Sequence, residues 1–306
     1  MESPAEIGFV IMTHNRVEQL NRLCKRLTKM FPKAPVVVHH DFSQTSLDKS
    51  LFPPNIHFIE PSLPTSWGGM DSVEAIIHSI EVLHRETAPH WTCLLSGSCY
   101  PIKNAEQILT DLRSNQFDGH IGHLKIPHSP PNFDDPKLKV YYLRYFSVIL
   151  WGLTVANKRL CRRRYRLADT WVRPLNTIFP KIHRPFSKSF HCYWGETWFS
   201  LSSKAVRRLL DFHQNDSALK HYYRLRRNVD ESYIHTILAN SPDLNLSNDC
   251  LRYTDWKNSP TTQHPKILDM GDLPKLLKSS AHFARKFDMK TDSQILDELD
   301  VRISET

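Results

Sequence analysis

The strongest constraint on the fold is an alternation of apolar runs and amphipathic segments along the first 114 residues. The apolar runs cover residues 7–12, 35–39, 56–59 and 91–95. The amphipathic segments, with apolar residues at helical spacing, cover residues 17–30, 73–83 and 105–112. Short apolar runs predict buried strands, and the helical spacing predicts helices that bury one face. Strands that alternate with helices predict βαβ units and an α/β fold with a mostly parallel sheet.

Polar residues follow the predicted strands at the edge where an open parallel sheet binds its ligands. They are Thr13-His14, His39-His40-Asp41, residues 64–69 and residues 96–103. The chain has neither G-x-G-x-x-G nor the P-loop pattern, and only 9 of its 306 residues are glycine. A site in which a glycine-rich loop holds phosphates is therefore disfavoured.

The chain after residue 124 is irregular at first and then becomes regular again. Residues 125–190 are rich in proline, aromatic and basic residues without a clean period. Further on, residues 198–201 and 251–256 are predicted strands, and 204–212 and 230–239 are predicted helices. Internal repeats and low-complexity linkers are absent from the sequence. We therefore expect one domain over 1–306, with halves at about 5–124 and 191–306 and an insertion at about 125–190.

Charge suggests an anionic partner. The chain has 40 Lys+Arg against 32 Asp+Glu, a formal net charge of +8. The densest basic run, 158–166, follows the apolar residues 145–155, which are too few to span a bilayer. The run is either a solvated helix face or a contact with an anionic membrane surface. Because the first residues lack a signal-peptide pattern, we expect a cytoplasmic protein, peripheral at the membrane if 158–166 binds there.

Two segments of the last third carry residues that could act on a ligand. Glu231 follows Asn228 by three positions, which predicts either a capping box at a helix start or a fixed carboxylate that acts as a general base. Arg285 and Lys286 lie between Phe283 and Phe287. This pattern predicts either a solvated basic turn or a pair of rigidly held cations that clamp a diphosphate. His264-Pro-Lys266 is a weaker candidate of the same kind.

A metal site is not predicted. The sequence contains no Asp-x-Asp triplet, no Cys-x-x-Cys pair among its six cysteines and no His-x-x-x-His pair.

These segments, in this order, resemble the core-2/I-branching β-1,6-N-acetylglucosaminyltransferases and the peptide O-xylosyltransferases of glycosyltransferase family 14. The similar segments are Val38–Asp41, Thr65–Gly69, Leu95–Pro101, Gly195–Phe199, Asp230–Leu238, Leu251–Trp256 and Phe283–Phe287. The resemblance covers almost the whole chain except 125–190. It implies a GT-A fold, Rossmann-like in its first half, that uses a UDP-sugar donor without a metal or other cofactor.

The resemblance also implies roles for single residues. The uridine would be held by Thr13 and Asp41, and the nucleotide site would be lined by Thr65, Ser66 and Trp67. The sugar site would be lined by Thr197 and Trp198. The UDP would also be contacted by His264, Lys266, Arg285 and Lys286. Glu231 would be the catalytic base of an inverting transfer of N-acetylglucosamine or xylose to a hydroxyl of a glycan or protein. Two departures from the family pattern are Ser98-Cys99 and Glu196-Thr197.

Two other functions stay open. The departures are compatible with a nucleotide-sugar or glycan-binding protein that has no turnover. The net charge and the 158–166 run would suit a nucleic-acid-binding module, but no stacking platform of aromatic and basic residues is visible, so nucleic acid is not an expected partner.

Overall fold

The computed structural model describes residues 4–127, 136–146, 185–224, 226–261 and 264–304. The basic run 158–166 lies outside the described residues, so the expected membrane contact stays a prediction. Within the described ranges, no helix has both the length and the hydropathy of a bilayer-spanning segment.

The strands build one large sheet and two small ones. They are β1 (Ile7–Thr13), β2 (Val36–His40), β3 (Ile56–Phe58), β4 (Trp91–Ser96), β5 (Tyr100–Pro101), β6 (Gly119–Ile121), β7 (Leu124–Lys125), β8 (Tyr193–Trp194), β9 (Phe199–Ser202), β10 (Leu246–Ser247), β11 (Arg252–Thr254) and β12 (Phe283–Arg285). The large sheet has the order β10-β6-β9-β4-β1-β2-β3. Its neighbouring strands are parallel except β9, which is antiparallel to β4 and β6. The predicted mostly parallel α/β sheet is therefore confirmed.

Helices cover both faces of this sheet. They are α1 (Val17–Met30), α2 (Met70–Glu86), α3 (Ala105–Ser114), α4 (Pro136–Phe146), α5 (Ser203–Asn215), α6 (Ser217–Arg224), α7 (Tyr233–Ala239), α8 (Leu273–Lys278) and α9 (Gln294–Ser304). Alternate strand residues enter opposite cores because successive side chains of a strand point to opposite faces. Val10 packs in the core with α2, α5 and α7, whereas its neighbours Phe9 and Ile11 pack in the core with α1, α3 and α9.

A small sheet brings the C-terminal basic pair to the ligand-binding edge. In it, β12 lies between β11, which is parallel to it, and β5, which is antiparallel. The Phe287 N–H also donates to the Ser98 carbonyl at 3.0 Å. Since β5 follows the loop at the end of β4, this pairing places Arg285 and Lys286 beside that loop.

The segment around Glu231 differs from the predicted helix. Residues Val229–Glu231 form a single 3-10 turn, and α7 begins only at Tyr233. Asn228 has a left-handed backbone (φ 52°), and its side chain caps nothing. The capping-box interpretation is therefore wrong, because the Glu231 carboxylate is held by distant residues instead.

Helix α4 lies in the stretch for which the sequence shows no clean period. Tyr145 and Phe146 are both buried, although adjacent helix positions differ in direction by about 100°. Tyr141 instead stacks on Trp194, with ring centres 4.0 Å apart. Apolar contacts on several sides of one helix remove the 3.6-residue period that a half-exposed helix shows.

Candidate active site

A cleft of about 580 Å³ opens at the carboxyl ends of β1 and β4. Its lining includes Thr13–Arg16, Thr65–Gly68, Ser96–Ser98, Glu196–Trp198, Asp230, Glu231, Trp256, His264, Arg285 and Lys286. Every predicted site residue therefore lines this one cleft except Asp41 and Lys266. A second cleft of about 710 Å³ lies between α1 and α9 and contains none of the predicted site residues.

Asp41 lies beneath the cleft and supports its wall. It is only 1% exposed, and its carboxylate accepts hydrogen bonds from Ser43, Gln44 and both the N–H and the hydroxyl of Thr65. Burial acts to raise the pKa of Asp41, but these hydrogen bonds outweigh it and hold that pKa well below its usual range. Asp41 thus fixes the loop that carries Thr65, Ser66 and Trp67.

Lys266 does not line the cleft. Its Nζ lies 2.6 Å from Asp272 and 3.1 Å from Asp269, and hydrogen bonding to Asp272 raises its pKa. The side chain is therefore engaged within its own segment.

Arg285 and Lys286 form the cationic end of the cleft. The Arg285 guanidinium lies over the Trp198 ring, 4.3 Å from its centre, and its buried Nε has no partner among the described residues. Burial lowers the pKa of both side chains, and for Lys286 the positive charges of Arg16 and Arg285 lower it further. Lys286 forms no ion pair within the described ranges. Two partly desolvated cations that form no ion pair with a carboxylate bind an anion strongly.

Glu231 lies in the same cleft and is positioned from two sides. Its Oε2 accepts a hydrogen bond from Arg144 on α4 at 3.0 Å and another from the Trp194 indole N–H at 3.0 Å. The backbone carbonyl of Glu231 accepts from the Gly195 N–H at 2.9 Å. Oε1 has no hydrogen-bond partner in the part of the chain that the structure describes. One oxygen is thus fixed, and the other is available to accept a proton.

Gly68 joins the turn that carries Glu231 to the loop that carries Trp67. The Val229 N–H donates to the Gly68 carbonyl at 3.0 Å. Gly68 has φ +69°, and a Cβ at this position would lie 2.9 Å from the Asn228 nitrogen. A glycine is therefore required both by the backbone conformation and by the close approach.

Two further carboxyl groups lie beside Glu231. Asp230 Oδ2 accepts from the Thr197 hydroxyl at 3.2 Å, while its buried Oδ1 lacks a partner among the described residues. Burial, and next the charge of Glu231, raise the pKa of Asp230 to about 6. Glu196 accepts from the Trp256 indole at 2.7 Å and from the Thr254 hydroxyl at 3.1 Å.

Aromatic and imidazole rings form the rim of the cleft. Trp67 is 70% exposed and meets the His264 ring edge-on, with centres 6.5 Å apart. Burial lowers the pKa of His264, and the charges of Lys286 and Arg285 lower it further. An exposed indole at a cleft mouth presents a flat apolar face to a base or a sugar ring.

Sequence reasoning missed Arg144, Trp194 and Asp230. Arg144 lies in the stretch without a period or a recognisable motif, and only the folded chain brings it to Glu231. Trp194 directly precedes the Gly195–Phe199 segment, so its position next to a motif was the one available signal. The sequence predicts Asp230 only as the first residue of a helix over 230–239, without a role of its own.

A family model for the core-2/I-branching enzymes matches residues 7–129 and 141–277 of this chain. The match includes residues 141–190, which the motif resemblance does not cover, and it ends before Arg285 and Lys286.

Two curated relatives are similar to most of this chain. The β-glucuronosyltransferase GlcAT14A of Arabidopsis thaliana is 28% identical over an alignment of 258 positions, which covers 80% of this chain and 50% of that protein. Xylosyltransferase 1 of Homo sapiens is 25% identical over an alignment of 326 positions, which covers 97% of this chain and 30% of that protein. The chain thus spans half or less of the length of these relatives.

Among solved structures, mouse xyloside xylosyltransferase 1 aligns with a TM-score of 0.39 and 11% identity, covering 91% of this chain and 97% of that one. At this score the structural similarity adds no weight to the family match. The matched ranges include most of the sheet and most of the cleft. The chain therefore belongs to the core-2/I-branching enzyme family of glycosyltransferases.

Proposed function

We propose that this protein transfers a sugar from a UDP-sugar to an acceptor hydroxyl, with inversion and without a metal ion. The observation that carries the proposal is that a positioned carboxylate, Glu231, and two half-buried cations, Arg285 and Lys286, face the same cleft. These groups suit the two ends of a single displacement.

At one end, charge develops on the diphosphate as the bond from the anomeric carbon to the phosphate oxygen breaks. Arg285 and Lys286 stabilise this charge because they are already oriented and partly desolvated. Their attraction for an anion is stronger in such a setting than in bulk water. The cation pair thus supplies the stabilisation that a divalent metal could otherwise supply.

At the other end, the acceptor oxygen forms a bond to the anomeric carbon and its proton moves to Glu231. Arg144 and Trp194 hold Oε2, so Oε1 is the oxygen that accepts the proton. Because UDP leaves from the opposite face, an α-linked donor gives a β-linked product.

The resemblance favours N-acetylglucosamine or xylose as the transferred sugar and a glycan or protein as the acceptor. The names of the relatives support xylose and add glucuronate as a third donor sugar. These sugars differ chemically in one decisive way, since glucuronate carries a carboxylate at the position where the others carry a hydroxymethyl group or a hydrogen.

The test compares the intact chain with Glu231→Gln on UDP-sugar donors. We expect the variant to lose about 10²- to 10⁴-fold in kcat, since the general base is removed, while UDP binds with unchanged affinity. Glu86→Gln is the matched control, because Glu86 ends α2 about 24 Å from the cleft end of that helix. A Glu231→Gln variant with full activity would contradict the proposal.

A protein that binds nucleotide sugars without turnover is the second candidate. It is favoured by Cys99, which stands where the family resemblance has an aspartate and is fully buried. UDP binding without product from any donor would identify this function.

A further inference from the structure

The sugar end of the cleft carries three carboxyl groups. Starting from the cation pair, Arg285 lies over Trp198, and the adjacent Thr197 donates to Asp230. Glu196 and Glu231 line the same cleft. A sugar attached to a diphosphate that is held by Arg285 and Lys286 therefore lies directly beside these acidic groups.

The described lining offers no free cation for a second anionic group. Arg16 is paired with Asp288 at 2.7 Å. Burial lowers the pKa of His14 and of His264 below the ordinary value of 6.5, so both rings are neutral at pH 7.5. Only Arg285 and Lys286 remain, and the diphosphate occupies them.

Asp230 also has an unmet hydrogen-bonding capacity. Its Oδ2 is occupied by Thr197, whereas its Oδ1 is buried and has no partner in the described ranges. A buried acceptor without a donor is costly, and a sugar hydroxyl is the donor that this location would receive.

We propose that Glu196 and Asp230 select an uncharged donor sugar, a neutral pentose, hexose or N-acetylhexosamine, and exclude a uronic acid. The selection rests on the proposed UDP-sugar transfer. A neutral sugar donates a hydroxyl hydrogen bond to Asp230. Glu231 is already ion-paired with Arg144, whereas no ion pair holds Glu196 or Asp230 among the described residues. A uronate would bring another negative charge close to these two carboxylates, where partial burial strengthens repulsion between like charges.

The test measures kcat/KM at pH 7.5 for UDP-xylose, UDP-N-acetylglucosamine and UDP-glucuronate. We expect the best neutral donor to exceed UDP-glucuronate by at least about 100-fold, since a site rejects a ligand strongly when buried charged or polar groups are left mismatched. Glu196→Gln and Asp230→Asn should each narrow this ratio by about 10-fold without changing the affinity for UDP. Glu86→Gln, with the same charge change outside the cleft, should leave the ratio unchanged.

Thermal unfolding of each variant is measured first because the Asp230 Oδ1 atom is buried. Glu196→Gln carries the test independently, since a glutamine oxygen can still accept from Thr254 and Trp256. Turnover of UDP-glucuronate equal to that of the neutral donors would overturn the selectivity and leave the transfer function standing. A donor ratio that is unchanged in both variants would overturn the assignment of the selectivity to Glu196 and Asp230. Absence of turnover with every donor, despite UDP binding, would overturn the transfer function itself.

Discussion

Asp230 carries a cost in stability that is tied to its place in the cleft. Its pKa rises on folding from an ordinary value of 3.8 to about 6, first through burial and then through the charge of Glu231. The Thr197 hydroxyl and the positive Arg144 act in the opposite sense. A carboxyl with a raised pKa disfavours the folded state most at high pH, where it is ionised in both states. Functional sites commonly hold such strained groups.

Asp230→Asn should therefore stabilise the fold by about 3 kcal/mol at pH 8. As pH falls through 6, the native carboxyl of the unaltered protein takes up its proton and the advantage of the variant shrinks. It is nearly lost near pH 4, where the unfolded carboxyl is partly protonated as well, and it vanishes at lower pH. Urea unfolding at pH 8, 6 and 4 measures this trend. A variant with the same free energy of unfolding as the unaltered protein at all three pH values would contradict the claim that folding raises the pKa of Asp230.

Helix α1 connects the elements that carry the cation pair. Gln19 is 2% exposed, and its amide nitrogen donates to the carbonyls of Gly97 and Phe287 at 3.1 and 3.0 Å. Its amide oxygen accepts from the Met289 N–H at 3.0 Å. One side chain thus holds the loop after β4 and the segment after β12 together, and Lys286 directly precedes the Phe287 carbonyl that Gln19 binds.

Gln19→Ala should lower the free energy of unfolding by about 1–3 kcal/mol, because it leaves buried backbone groups without partners. We also expect weaker UDP binding, since the segment that carries Lys286 loses its support. Denaturant unfolding and a UDP titration measure the two effects. Gln294→Ala is the control, as that residue is exposed at the start of α9. Loss of stability with unchanged UDP affinity would show that Gln19 does not position the cation pair.

Sequence patterns predicted some elements and not others for physical reasons. The strands β1–β4 and the helices α1–α3 are long enough to show their period, and each appears within a few residues of its predicted range. Strand β12 has three residues and no pattern of its own, so only pairing with β11 and β5 defines it.

The site shows the same division. The residues that line the cleft come from segments after strands and from recognisable motifs. The orientation of the Glu231 carboxylate, by contrast, depends on Arg144, which is 87 positions away in the chain. A local pattern is satisfied equally by a capping box and by this long-range ion pair, and only the folded chain distinguishes them.

At the scale of the whole molecule, the cleft has positive and negative side chains at opposite ends, which the net charge of +8 does not reveal. One end holds two half-buried cations and the other holds three carboxyl groups, which suits the proposed donor, a diphosphate joined to a neutral sugar. The scarcity of glycine fits this proposal, because cationic side chains rather than a glycine-rich loop would hold the phosphates. The matched family ranges cover the acidic end, and the basic pair lies beyond them.

The central claim is that Arg285 and Lys286 stabilise the departing diphosphate in place of a metal. The most direct measurement is kcat/KM for the preferred UDP-sugar in excess chelator, for the intact chain, Lys286→Ala and the exposed-site control Lys25→Ala. We predict full activity for the intact chain and the control, and a loss of about 10²- to 10³-fold for Lys286→Ala. An intact chain that is silent in chelator and recovers with added Mn²⁺, or a Lys286→Ala variant with full activity, would contradict the account.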